Sequence, residues 1–128
     1  MRRLSDKGWK QAEALADLLA GVERVLSSPY LRCRQTLEPL AARIGITVVD
    51  EARLAEATPM ADALALITAP GPTTAMCTHG DIVVGLVNHL INQGLVTPAK
   101  AGGSKASTWK LEIENGEITK AKYLPPPE

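Results

Sequence analysis

The chain has 128 residues, with 14 basic and 14 acidic side chains, two Trp, two Tyr and no Phe. That length suits one domain with a real core and leaves no room for a second. Zero net charge gives no electrostatic footprint for nucleic acid or an anionic membrane, and so few rings argue against a base-stacking surface. A pocket for a small anion is still compatible with neutrality. Cys33 and Cys77 form no CxxC and no disulfide framework, so both read as buried free thiols in a reducing cytosol. The basic N-terminus is not followed by an apolar stretch, and no run of about 18 apolar residues occurs. These features predict a cytoplasmic protein.

Ser5 is a candidate N-cap for a helix over 6–19, with Trp9, Ala12, Leu15, Ala16 and Leu19 on one face and Gly21 as the stop. Residues 22–26 read as a strand ending in Ser27-Ser28-Pro29. Pro29 fits the first turn of a second helix, which runs to Ile44 and stops before Gly45. A second strand follows over 46–49, then a loop over 51–57. Thr58 caps a third helix that has Pro59 at its first position and runs through Ile67. Residues 73–78 are a third strand, too short and too β-branched for a buried helix. His79-Gly80-Asp81 leads into a helix that reaches Asn92, and a loop rich in Gly, Ala and Lys covers 94–104. Residues 108–114 and 117–124 alternate around Asn115-Gly116, the pattern of a hairpin with a type I′ turn. The prolines at 125–127 end the domain.

The order α-β-α-β-α-β-α-β-β predicts an α/β fold: three layers, α/β/α, around a mostly parallel sheet with a C-terminal antiparallel hairpin. A doubly wound domain usually opens with a strand, and this chain opens with a helix. The first central strand is therefore expected to be absent.

Two loops follow strands and lead into helices, the place where open α/β sheets bind ligands. One carries Ser28, Arg32, Cys33 and Arg34, the other His79 and Asp81. Helix N-termini favour anions, an Arg held there can grip phosphate bidentately, and a His there can donate to phosphate or shuttle a proton. Each residue has a plainer reading. Arg32 could be a surface helix arginine, His79 a packing residue, Ser28 an N-cap and Glu56 a solvated loop acid. Arg34 faces another side of its helix from Arg32. Cys33 reads as a packed thiol, His89 as an ordinary helix residue and Lys105 as a loop charge.

Residues 28–36, Ser-Pro-Tyr-Leu-Arg-Cys-Arg-Gln-Thr, resemble the S-P-x-x-R-x-x-Q-T segment of the histidine phosphatase (phosphoglycerate mutase-like) superfamily, and Cys77 to Asp81 resemble its second-histidine motif. Residues 2–14 are similar to the R-P-L-S-x-x-G-x-x-Q-A stretch of the small phosphohistidine phosphatase branch, and 105–109 to its K-G-S-x-W segment. The four motifs occur in the family's order along nearly the whole chain. Arg3 stands where the family has Pro, and Ala106 where it has Gly.

The resemblance implies that Arg32 and Ser28 line a phosphate pocket and that His79 is the second catalytic histidine. Glu56 is the best positional candidate for the general acid. No metal and no cofactor is implied. The chemistry implied is hydrolysis of a phosphohistidine in a protein, or of a small phosphate ester, through a phosphohistidine intermediate. The family's nucleophilic histidine belongs to an R-H-G or R-H-A motif, and no Arg-His pair occurs in this chain. The expectation is a truncated enzyme, inactive as it stands, with Met1 an internal start. The alternative is a non-catalytic phosphate-binding or protein-interaction domain.

Overall fold

The computed structural model describes residues 4–98 and 106–127. Arg3, Lys105 and the start at Met1 lie outside the described residues. Four helices, α1 (Asp6–Leu18), α2 (Leu31–Ile44), α3 (Met60–Thr68) and α4 (Gly80–Asn92), alternate with strands β1 (Arg24–Ser27), β2 (Val49–Asp50) and β3 (Thr74–Cys77). The hairpin strands β4 (Thr108–Glu114) and β5 (Glu117–Leu124) close the chain.

Local chemistry explains where most elements begin and end. Ser5 caps α1, its hydroxyl accepting from the Gly8 amide at 3.1 Å. Gly45 ends α2 in the left-handed conformation, φ 75°, which glycine adopts without steric cost. The next amide, Ile46, is drawn back to the Ala41 carbonyl at 3.0 Å. A donor used by the helix cap cannot serve the sheet, and the strand expected over 46–49 pairs only at Val49 and Asp50. Pro29 lies just ahead of α2, whose N-cap is Tyr30. Pro29 therefore stiffens the entry to α2 and does not sit in its first turn. Thr58 caps nothing: its hydroxyl donates to the Ala55 carbonyl at 2.8 Å, and Pro59 occupies the N-cap of α3.

The parallel sheet has the order β2-β1-β3. Alternation along β1 and β3 divides the core between the sheet's two faces. Val25 and Ala75 meet Ala16 of α1 and Leu37, Leu40 and Ala41 of α2 on one face. Leu26 meets Leu54, from the turn ahead of α3, and Leu66 of α3 on the other, with Met76 against them. α4 packs with α3 on this second face. Three layers result, α/β/α, as the alternating pattern predicts. Each fully buried Leu contributes roughly 1.5–3 kcal/mol, so Leu40 and Leu54, both at 1% exposure, anchor the two sides.

The hairpin is a separate two-stranded sheet. Asn115 and Gly116 both have positive φ, 53° and 78°, as a type I′ turn requires. The register shifts between Glu112 and Ile113, because Glu112 pairs with Lys120 while Ile113 pairs with Ile118. Thr119 is the extra residue. It brings Ile118 into phase with Ala121 and Tyr123, the partly buried positions of β5. Alternation predicts Trp109, Leu111 and Ile113 on one face of β4; Trp109 and Leu111 are half-buried, whereas Ile113, at the register shift, is exposed, and the Trp109 ring lies 5.3 Å from that of Tyr123. No described helix is long and apolar enough to cross a membrane.

Candidate active site

The connection leaving β1 runs to α2 on one face of the sheet, and the one leaving β3 runs to α4 on the other. Adjacent parallel strands whose connections diverge in this way leave a crevice at their carboxyl ends. Ser28 and His79 sit there. The β1–β3 ladder extends one step past the strands, with the Ser28 amide donating to the Cys77 carbonyl at 3.0 Å. That register sets Ser28 beside the loop carrying His79, and its Oγ lies 2.7 Å from His79 Nε2. Ser28 is not the N-cap of α2, a position held by Tyr30, although its Oγ accepts from the Tyr30 amide at 3.4 Å.

His79 is the N-cap of α4, and its carbonyl accepts from the amides of Ile82 and Val83, both at 3.1 Å. The backbone thus fixes the root of the side chain, and two groups fix the ring. Glu56 Oε1 lies 3.3 Å from Nδ1, on the opposite edge of the imidazole from Ser28. Tyr30 packs edge-on against the ring, with centroids 5.0 Å apart and planes at 75°.

Glu56 belongs to the loop after a single 3-10 turn, Ala52–Leu54. Two hydrogen bonds pin that loop to the β3–α4 connection. Thr78 Oγ1 donates to the Leu54 carbonyl at 2.6 Å, and the Ala57 amide donates to Asp81 Oδ2 at 2.8 Å. Thr78, Asp81 and Tyr30 therefore position site residues, a role that sequence reading missed. The only signal for Asp81 is its place two residues after His79 in a loop that opens a helix.

The Glu56–His79–Ser28 line defines what the imidazole can do. A carboxylate at Nδ1 favours the proton there and leaves Nε2 to accept from the Ser28 hydroxyl. The order hydroxyl–imidazole–carboxylate is that of an acyl-transfer triad. Ser28 is only 1% exposed, and its hydroxyl is engaged with the ring. The His79 side chain is 12% exposed and that of Glu56 is 65% exposed. His79 can therefore meet a ligand, with Glu56 in contact with water.

Arg32 lies in the first turn of α2, at the same end of the sheet, and is half-buried. Its guanidinium makes no hydrogen bond or ion pair among the described residues. Arg34 points elsewhere and pairs with Asp50. Cys33 is buried, and its thiol donates to the Thr78 carbonyl at 3.8 Å. A hydrogen bond from Cys77 holds the Cys33 thiol below its ordinary range, with smaller contributions from Ser28 and the Arg32 charge against the opposing effect of burial. Cys77 is pushed well up, first by that same hydrogen bond and then by burial. His89 is a half-buried residue of α4, away from the crevice.

Comparison with known proteins finds relatives of the chain in sequence and in fold. The family model of the histidine phosphatase superfamily (branch 1) matches residues 2–62, a span that holds Ser28, Arg32 and Glu56. The chain is 35% identical over 136 aligned positions to an 8-oxo-(d)GTP phosphatase of Mycolicibacterium smegmatis, covering 99% of this chain and 42% of that protein. It thus spans less than half the length of this curated relative. The crystal structure of a protein assigned as the phosphohistidine phosphatase SixA, from Agrobacterium tumefaciens, superposes with a TM-score of 0.75 at 25% identity. That match covers 98% of this chain and 84% of the other. A structure described as mycobacterial hydrolase 1 shares the fold, with a TM-score of 0.62 at 18% identity over 94% of this chain and 85% of its own. With these likenesses, the chain belongs to the histidine phosphatase superfamily.

Proposed function

We propose that the crevice is a phosphoryl-binding site and that the chain is a phosphatase of the histidine type, or the phosphate-gripping part of one. The observation that carries this reading is His79 held between Ser28 and Glu56 at the carboxyl ends of β1 and β3, with the Arg32 guanidinium uncommitted among the described residues at the same sheet end. In this reading the Arg32 guanidinium grips the oxygens of the transferring phosphoryl group, and His79 joins it by exchanging the Ser28 hydroxyl for a phosphoryl oxygen as the partner of Nε2 and donating to it. Ser28 sets the orientation of the imidazole. Glu56, in contact with solvent, exchanges the proton of Nδ1 or delivers one to the leaving oxygen.

The substrate is a phosphohistidine or a small phosphate ester. The name of the Mycolicibacterium relative adds a nucleoside phosphate as a third class to be tested. The chain has no Arg-His pair, and both edges of the His79 ring are engaged. Nothing among the described residues is placed to form the phosphohistidine intermediate, so turnover by these 128 residues alone is expected to be undetectable. The cytoplasm is the expected location.

Titration calorimetry with inorganic phosphate tests the site, and release of phosphate from a phosphohistidine peptide, an aryl phosphate and a nucleoside triphosphate tests the chemistry. Saturable phosphate binding that is lost in Arg32→Ala and His79→Ala supports the assignment. Binding without turnover of any substrate, even in the longest natural chain that contains this one, favours the non-catalytic alternative. Phosphate binding unchanged by both substitutions places the site elsewhere.

A further inference from the structure

The α2 side of the sheet carries two thiols that the proposed phosphoryl chemistry does not use. Alternation along β3 sends Ala75 and Cys77 toward the α1–α2 layer, where Cys77 packs against the core, and Met76 toward the other layer. On α2, Cys33 lies one turn before Leu37 on the same buried stripe. The two side chains therefore approach the same wall from opposite sides. Cys33 Sγ reaches the carbonyl of Thr78, the residue after Cys77, at 3.8 Å. Interaction between the two thiols holds Cys33 below its ordinary range and pushes Cys77 well above it. A lowered thiol next to an arginine, with a second thiol on the facing strand of the same layer, is the arrangement of an oxidisable cysteine and its resolving partner.

We propose that Cys33 and Cys77 form a redox-sensitive pair that closes into an intramolecular disulfide when a hydroperoxide reaches it. The Cys33 thiolate attacks one peroxide oxygen. The O–O bond breaks, Cys33 becomes a sulfenic acid, and the departing oxygen leaves as water after taking up a proton. The sulfur of Cys77 then attacks the sulfur of Cys33. The S–S bond forms, the S–O bond breaks, and the hydroxide leaves as a second water with the proton of Cys77. In sum, two thiols are oxidised by two electrons and one hydroperoxide is reduced; hydrogen peroxide gives two waters. Arg32 precedes Cys33 by one residue and His79 follows Cys77 by two. The bond would tie together the two segments that carry those groups, whatever ligand the crevice takes.

The test is peroxide treatment of the folded chain, followed by intact mass and a non-reducing peptide map. The expected result is a loss of about 2 Da, the removal of two hydrogens. One cross-linked fragment should join Cys33 to Cys77 and revert with dithiothreitol. Closure should be at least about tenfold faster than in the same chain unfolded in urea, since the fold holds the thiols together. Cys33→Ser and Cys77→Ser should each abolish the mass loss, and the map of the unsubstituted chain decides the matter should either variant fail to fold. A disulfide-linked dimer as the main product overturns the proposal. So does oxygen added at Cys33 with Cys77 still open to alkylation, or closure no faster when folded than unfolded.

Discussion

Thr108 pairs with Leu124 and Glu114 with Glu117 in the terminal hairpin, every partner belonging to one short stretch of chain. In the crevice, Ser28 meets His79 across 51 positions, and Arg24 of β1 reaches Thr74 of β3 across 50. The hairpin's register is set by two turn residues with positive φ and by one extra residue, Thr119. Its strands remain largely exposed. The register of β1 against β3 is set by burial on both faces, because a slip of one residue would turn Val25 and Ala75 away from α2. Local chemistry is enough for the first region. The second exists only when both layers of helices are in place.

Breaking either core layer should therefore have the largest effect. Leu40→Ala on the α2 side, or Leu54→Ala on the α3 side, is expected to cost about 2–5 kcal/mol in urea unfolding. Ile113→Ala in the hairpin, at a residue 36% exposed, should cost under about 1 kcal/mol. Equal losses at the two places would refute the contrast.

The site sharpens the comparison next. Arg32→Ala or His79→Ala should weaken phosphate binding by about 10- to 100-fold, the effect of losing a hydrogen bond to a charged partner. Melting temperature should hardly move, because neither residue belongs to the core clusters. A large fall in melting temperature in either variant would mean that the residue supports the fold and that its effect on binding is indirect.

In the hairpin, Gly116→Ala places a side chain at φ 78°, at an expected cost of about 1 kcal/mol. Hydrogen exchange should report that cost as faster exchange of the β4 and β5 amides. The amides of β1 and β3 should keep their protection, since the two sheets are separate.

The smallest effect lies at the surface. Arg53 hydrogen-bonds the Glu51 carboxylate and holds its pKa below the ordinary carboxylate range. A carboxyl lowered in the folded state adds stability above its unfolded value, and that stability is lost as the pH falls through the folded value. Arg53→Ala should therefore leave the stability at pH 3 nearly unchanged and reduce it slightly at pH 7. Solvent screening keeps the difference near the limit of a urea titration.

Capping and turn chemistry act within about four residues, and those features were legible in the sequence alone: Ser5 before α1, Gly45 after α2, and the hairpin strands to the residue. The strand-to-helix loops carrying Ser28, Arg32 and His79 were legible too, because strand ends in alternating α/β chains mark one edge of a sheet. Pattern could not foresee where competition for backbone groups would fall. Ile46 gives its amide to the α2 cap and shortens β2, and Thr58 turns its hydroxyl back to Ala55. Nor could it join Glu56 to His79. That contact depends on Thr78 and Asp81 pinning a loop more than 20 positions away in sequence. The pairing of Cys33 with Cys77 is of the same kind. Helix periodicity gives the buried stripe of α2 and strand alternation gives the face of Cys77. Only the packing of α2 onto β3 decides that the two thiols meet, because the distance between elements depends on every side chain in the layer between them.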